Sequence, residues 1–201
     1  MSQLDLTQRT DLPEALRFLS EDYPRDGWMG HPHFARSIQN WLGAHHSFRQ
    51  MGDVLASKTE RYLNRDTETD TYINGLAYYG DLLIRNLHGH HTWEDRSYFP
   101  ELAAADHRFE RGQDLLESDH VELDALLDRI TIRSNRAIQS QTLDPKQVYE
   151  TAAPLEHNFE TLKKFLNRHL SDEEDLVVPI LLHHKMRALG TGALCPPFSV
   201  S

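Results

Sequence analysis

The sequence predicts an all-α protein: an up-down-up-down four-helix bundle with a short extra N-terminal helix. Three observations carry that prediction. Apolar residues recur at helical spacing along four long stretches, the connections between those stretches are short, and no strand alternation occurs anywhere in the 201 residues.

The N-terminal helix begins near Asp11, whose carboxylate can cap the following turn, tolerates Pro13 in its first turn and stops before Pro24. The stretch DYPRDGWMGHPH then reads as loop, with Trp28 as an apolar anchor. Pro32 suits the first turn of the first long helix, which carries Ile38, Trp41, Leu42, Phe48 and Leu55 on one side and fades near Asn64. The second long helix runs from about Thr71 to Ala105, with Leu83, Leu87, His90, Glu94 and Tyr98 sharing a face. The third spans about Glu110 to Ala137, with Leu116, His120, Leu123, Leu127 and Ile130 in register, and a polar break at SQTLDP follows it. Asp144 and Pro145 start the fourth, whose stripe is Leu162, Phe165, Leu166, His169, Glu173, Leu176, Val177 and Ile180. Pro100 and Pro179 each delete a backbone donor and should kink or terminate the second and fourth helices. From Gly190 onward the glycine and proline content predicts a flexible tail.

Composition narrows the function. The chain carries 31 acidic against 21 basic residues, a formal charge of −10, which argues against a nucleic acid or anionic membrane partner. The amino terminus lacks a signal pattern, and no apolar run approaches the roughly 18 residues of a membrane span, so a cytoplasmic location is expected. Cys195 is the only cysteine, which removes disulfide frameworks and thiolate metal sites within one chain. Histidine is abundant instead, at 13 residues.

The arrangement of those histidines is the most informative feature. His90, Glu94 and Pro100 in HHTWEDRSYFP recur at identical spacing as His169, Glu173 and Pro179 in HLSDEEDLVVP, each with a trailing acid, Asp95 and Glu174. Four residues between His and Glu stack imidazole over carboxylate on one helix face, a geometry that lets both hold one metal centre. His169 and Glu173 also interrupt an otherwise apolar stripe, where an unpaired carboxylate would be costly to desolvate. Something must compensate that charge.

The first and third long helices each offer one more inward histidine. His45 shares a face with Ile38, Trp41, Leu42 and Phe48, whereas His46 falls with Gly43, Arg49, Gln50 and Asp53. His120 lies on the apolar stripe of the third helix. In the second helix the repeat pairs His90 with His169 and pairs His91 with the apolar Leu170, which leaves His91, like His88, as a neighbour. If two ions bind, His45, His90, His120 and His169 supply two imidazoles per ion and Glu94 and Glu173 can bridge. Such ligands suit iron, with manganese or zinc as substitutes.

The segments HHSFR, HHTWEDRSYFPEL, ESDHVELDALL and HLSDEEDLVVPIL resemble the four helices of the hemerythrin-like, HHE cation-binding family. The resemblance covers nearly all of the ordered chain. It implies a domain over 35–188, preceded by an N-terminal helix and loop packed on it (1–34) and followed by a flexible tail (189–201). It further implies a non-haem di-iron site of Fe–O–Fe type, with His45, His90, His120 and His169 as terminal ligands and Glu94 and Glu173 as bridges. Oxygen-carrying hemerythrins have a second histidine four residues after the first on the third helix, and this chain has Asp124 there. The four-histidine, two-glutamate set is more similar to the bacterial iron-centre repair proteins, although their cysteine-bearing N-terminal region has no counterpart here.

The expected function is to bind, sense or handle a small ligand such as dioxygen, nitric oxide or peroxide. Alternatives are a redox enzyme acting on peroxide or nitric oxide, and a metal-storage or zinc-bound interaction module. His31, His33, Tyr98 and Asp124 are further candidates. The two histidines read as loop residues, Tyr98 as a donor to the Glu94 bridge or a core residue with a satisfied hydroxyl, and Asp124 as a surface carboxylate or ligand contact. Trp28 and Trp41 read as anchors for the amino-terminal segment, and His107, His157, His183 and His184 as structural or solvated.

Overall fold

The computed structural model describes residues 6–186 and is all-α, with no strand among the described residues. The tail from Gly190, with Cys195, lies outside them. Five α-helices occur in order: α1 (Arg36–Leu63), α2 (Thr69–Trp93), α3 (Phe99–Ala105), α4 (Glu110–Leu143) and α5 (Val148–His183). No helix is long and apolar enough to cross a membrane.

Three expectations change. The helix expected from Asp11 is a single 3-10 turn, Glu14–Leu16. Asp11 does accept a hydrogen bond from the Leu12 amide at 2.9 Å, yet Leu12, Leu16, Leu19 and Trp28 are each buried although only Glu14–Leu16 of the expected helix forms a helical turn. The segment is shaped by where its apolar side chains find cover, and propensity between two prolines is too weak to override that.

The second long helix is interrupted between α2 and α3 by a π turn, Glu94–Tyr98, in which the Phe99 amide donates to the Glu94 carbonyl five residues back. Pro100 then occupies the first turn of α3, where its missing N–H costs nothing. The proline thus marks a break, and the π turn carries Glu94 and Tyr98, both buried. Of the two outcomes expected at Pro179, termination does not occur: α5 continues to His183, and every residue from Leu176 to Leu182 is buried. Packing on all sides offsets the lost backbone bond.

The chain forms two compact units. Among the described residues, the first draws on 6–47, 89–121 and 167–186. Its core gathers Leu12, Trp28, Ile38, Phe99, Phe109 and Leu176. The second draws on 48–88 and 122–166. There Tyr62 stacks on Tyr72 at 4.3 Å, and α1 ends with the Asp66 amide reaching back to the Arg61 carbonyl and Arg65 in the left-handed region.

Candidate metal centre

All six sequence-predicted side chains belong to the first unit and all are buried: His45, His90, Glu94, His120, His169 and Glu173. His46 is exposed, so periodicity chose the inward member of that pair. Two groups of metal-capable atoms result. His45, His90, Glu94 and Glu173 form one, and His91, His120 and His169 the other, with the atoms in each group within 4.8 Å of one another.

The carboxylates touch both groups. Glu94 sets one oxygen 2.9 Å from His90 Nε2 and the other 3.9 Å from His120 Nε2. Glu173 Oε2 lies 3.5 Å from His45 Nε2 and 3.8 Å from His169 Nε2. Each glutamate therefore lies within 4 Å of one histidine of either group. Two imidazole nitrogens, His45 Nε2 and His90 Nε2, approach within 3.0 Å. Convergence of Nε2 lone pairs in a buried interior is unfavourable until a cation or a proton sits between them.

Three histidines are held from behind through Nδ1. His120 pairs with Asp95 Oδ1 at 2.7 Å, His45 with Glu174 Oε1 at 3.1 Å and His169 with Asp119 Oδ2 at 3.2 Å. With Nδ1 donating to a carboxylate, Nε2 is left as the lone-pair nitrogen directed inward, the tautomer a metal requires. Asp95 and Glu174 are the trailing acids of the two repeats, so each copy supplies a metal-capable His–Glu pair and also orients a histidine of another helix. The carboxylates are anchored in turn. Arg9 pairs with Asp119 and, at 2.7 Å, with Asp172, while Arg25 donates to Glu174 at 2.6 Å. Arg9 and Arg25 thus tie the N-terminal segment to the back of the centre.

Burial dominates the electrostatics. It lowers His45, against the opposing pull of Glu174, and lowers His169 to about 4, against Asp119. His91 falls well below the ordinary range by burial, with His120 and His169 adding to the effect. Burial would raise Glu94, but His90 and the other donors around it outweigh that and hold it below the usual carboxylate range. Neutral imidazoles and ionised carboxylates are the states that bind metal.

A family model for the hemerythrin HHE cation-binding domain matches residues 36–188. The chain belongs to the hemerythrin HHE cation-binding domain family. Comparisons with curated proteins and with solved structures gave no match. For an HHE domain the donor set fits a metal: the Nε2 atoms of His120 and His169 are buried with no hydrogen-bond partner, in reach of two carboxylates.

The remaining candidate residues fall both inside and outside the centre, and some differ from their sequence reading. Trp41 is part of the site, donating from Nε1 to Glu94 Oε1 at 2.9 Å and packing on the His45 ring at 4.2 Å. Its place on the stripe beside His45 was the available signal. Tyr98 is core, stacked on Trp93 at 4.8 Å, but its hydroxyl is unsatisfied, and burial with Glu94 and Glu173 pushes its pKa well above the ordinary value. Asp124 lies in the second unit, 3.6 Å from the exposed His88, and belongs to neither metal-capable group. His31 and His33 belong to neither group either. His183 contacts the Tyr23 hydroxyl and His184 contacts Asp106, while His107 and His157 are exposed. His91, left aside in the sequence reading, is buried inside the centre, and Asp119 and Arg9 were not singled out at all.

Proposed function

We propose that this HHE domain is a non-haem di-iron protein that binds, senses or handles a small ligand, namely dioxygen, nitric oxide or peroxide, at a carboxylate-bridged centre. His45, His90, His120 and His169 are the terminal ligands in this reading, and Glu94 and Glu173 the bridges. The observation that carries it is the double reach of each glutamate, whose oxygens face one histidine of either group. An up-down-up-down four-helix bundle built from α1, α2, α4 and α5 belongs to the same reading, supported by the short connections at 64–68 and 144–147.

Bound iron supplies Lewis acidity and reversible one-electron chemistry. The chain's own residues do the rest. Asp95, Glu174 and Asp119 hold three imidazoles in the ligating tautomer. Trp41 fixes the orientation of Glu94, and the surrounding apolar residues exclude water. The Tyr98 hydroxyl is buried without a partner among the described residues and has donor capacity left for an incoming anionic or polar ligand. These features support binding of a small molecule. A large substrate would need an open cleft among these side chains, whose burial is nearly complete.

The test is metal content with an optical spectrum. Protein purified without added metal should carry close to two irons per chain, and the reduced form should develop a visible band on exposure to oxygen or nitric oxide. Full iron loading with unchanged spectra would sink the ligand-binding reading, and a stable zinc load would remove the redox chemistry. Glu94→Ala should abolish the band.

A further inference from the structure

We propose that His91 is a seventh protein ligand, completing a three-histidine seat with His120 and His169 opposite the two-histidine seat of His45 and His90. The inference rests on the two-metal reading above and adds a residue that the repeat pattern set aside.

Geometry comes first. The His91 ring stacks on His120 with centroids 3.9 Å apart and planes 13° from parallel, and meets His169 edge-on at 5.6 Å. Its ligand atom falls within 4.8 Å of those of both partners. Adjacent residues on an α-helix diverge by about 100°. A single-sided site can take only one of two neighbouring histidines, whereas a centre with two seats can take both. From α2, His90 reaches the seat of His45 and His91 reaches the seat of His120 and His169, with Glu94 one turn further on facing both.

The second observation is that His91 is an orphan. It is 2% exposed, and neither Nδ1 nor Nε2 has a hydrogen-bond partner among the described residues. His45, His120 and His169 are each held at Nδ1 by a carboxylate, and His91 has no such partner. A histidine kept for packing satisfies its ring nitrogens, because a buried polar atom left unpaired costs free energy. The repeat supplies an internal control. The position equivalent to His91 in the second copy is Leu170, which is fully buried, so burial at this register does not call for an imidazole. Packing would be served as well by leucine, and the ring nitrogens are unexplained unless they bind something. Their neighbours are two imidazoles and the carboxylates of the centre, which selects a cation.

The experiment is anaerobic titration of the metal-free full chain with ferrous iron, with bound metal measured by elemental analysis after desalting. Wild type should retain two ions. His91→Leu, which copies the second repeat, should retain one tightly and bind the other at least tenfold more weakly. His91→Phe, which keeps a ring stacked on His120, should behave the same way and covers the case in which leucine packs badly. The exposed neighbour variant His88→Leu should retain two. Thermal unfolding of the metal-free variants supplies the second readout: both should melt at or above wild type, since an unsatisfied polar ring has been removed. Two ions held by His91→Leu or His91→Phe at wild-type affinity would overturn the inference, as would a lowered melting temperature for both metal-free variants, which would mark His91 as a packing residue. Failure of wild type itself to take up two ions would overturn the two-metal reading instead, and His91 with it.

Discussion

Asp95 Oδ1 lies 2.7 Å from His120 Nδ1, and Asp95 is the residue immediately after the bridging candidate Glu94. One short stretch of chain thus presents a carboxylate to the metal-capable cluster and orients a histidine of α4 from behind. Glu174 does the same for His45 of α1 from the second repeat.

This relationship predicts that Asp95→Asn weakens iron retention without unfolding the protein. The amide still fills the space but no longer favours the Nδ1-protonated tautomer or raises the basicity of Nε2. Loss of such an orienting carboxylate costs about 10–100-fold in metal affinity. Competition with a chelator of known affinity measures it. Equal retention by Asp95→Asn and wild type would show that His120 is oriented by packing alone.

Arg9 predicts a stability effect far from its place in sequence. It is buried, paired with Asp119 and Asp172, and retains its charge although burial works against it, because those two carboxylates outweigh the penalty. Arg9→Met should leave both acids partly uncompensated and cost about 3–5 kcal/mol, the usual consequence of breaking a buried pair from one side. Urea unfolding of the metal-free protein gives the number. A loss below about 1 kcal/mol would mean that the pair is compensated elsewhere.

Acid should destabilise the metal-free protein between pH 6.5 and about 4. Burial lowers His169 from 6.5 to about 4 and also lowers His45 and His91. Within that window the unfolded chain binds protons that the folded chain does not, so stability falls as pH falls; above 6.5 it is flat with respect to these groups. His169 alone contributes about 3 kcal/mol to the change. The melting temperature followed from pH 7.5 to 4.5 is the check, and bound metal should be released over the same interval. A melting temperature independent of pH below 6.5 would contradict neutral burial of these rings.

Tyr98→Phe should separate stability from ligand binding. The hydroxyl is buried without a partner, so its removal should raise the stability of the metal-free protein by about 1 kcal/mol. In the iron-loaded protein the same change should speed dissociation of a bound small ligand several-fold, measured by stopped-flow absorbance. If neither quantity moves, the hydroxyl has no part in the site.

Much of this arrangement was legible in the residues. His45 separates from His46 because the neighbours of one are Ile38, Trp41 and Phe48 while those of the other are polar, and the structure buries the first and exposes the second. The repeat picked out two glutamates and their histidines for the same reason: spacing of four residues on a helix is a local property. His91 escaped because helical periodicity assigns one face to one target, and the rule fails where the target has two sides. Its signal was the doubled histidine directly before a His-x-x-x-Glu register. The π turn was announced by Pro100 six residues after Glu94, though proline alone cannot say whether a helix ends, kinks or widens. The N-terminal segment was misread because its apolar residues answer to distant partners.

By itself the sequence determined the helices, their inward faces and the chemical type of the cluster, since each follows from turns of 3.6 residues and from the cost of burying charge. Only the tertiary structure decided which acid orients which ring, that His91 faces the centre and that Arg9 closes it from behind. Those pairings join residues as far apart as Arg9 and Asp172. No local pattern encodes them, because they depend on the distances at which separately formed helices come to rest.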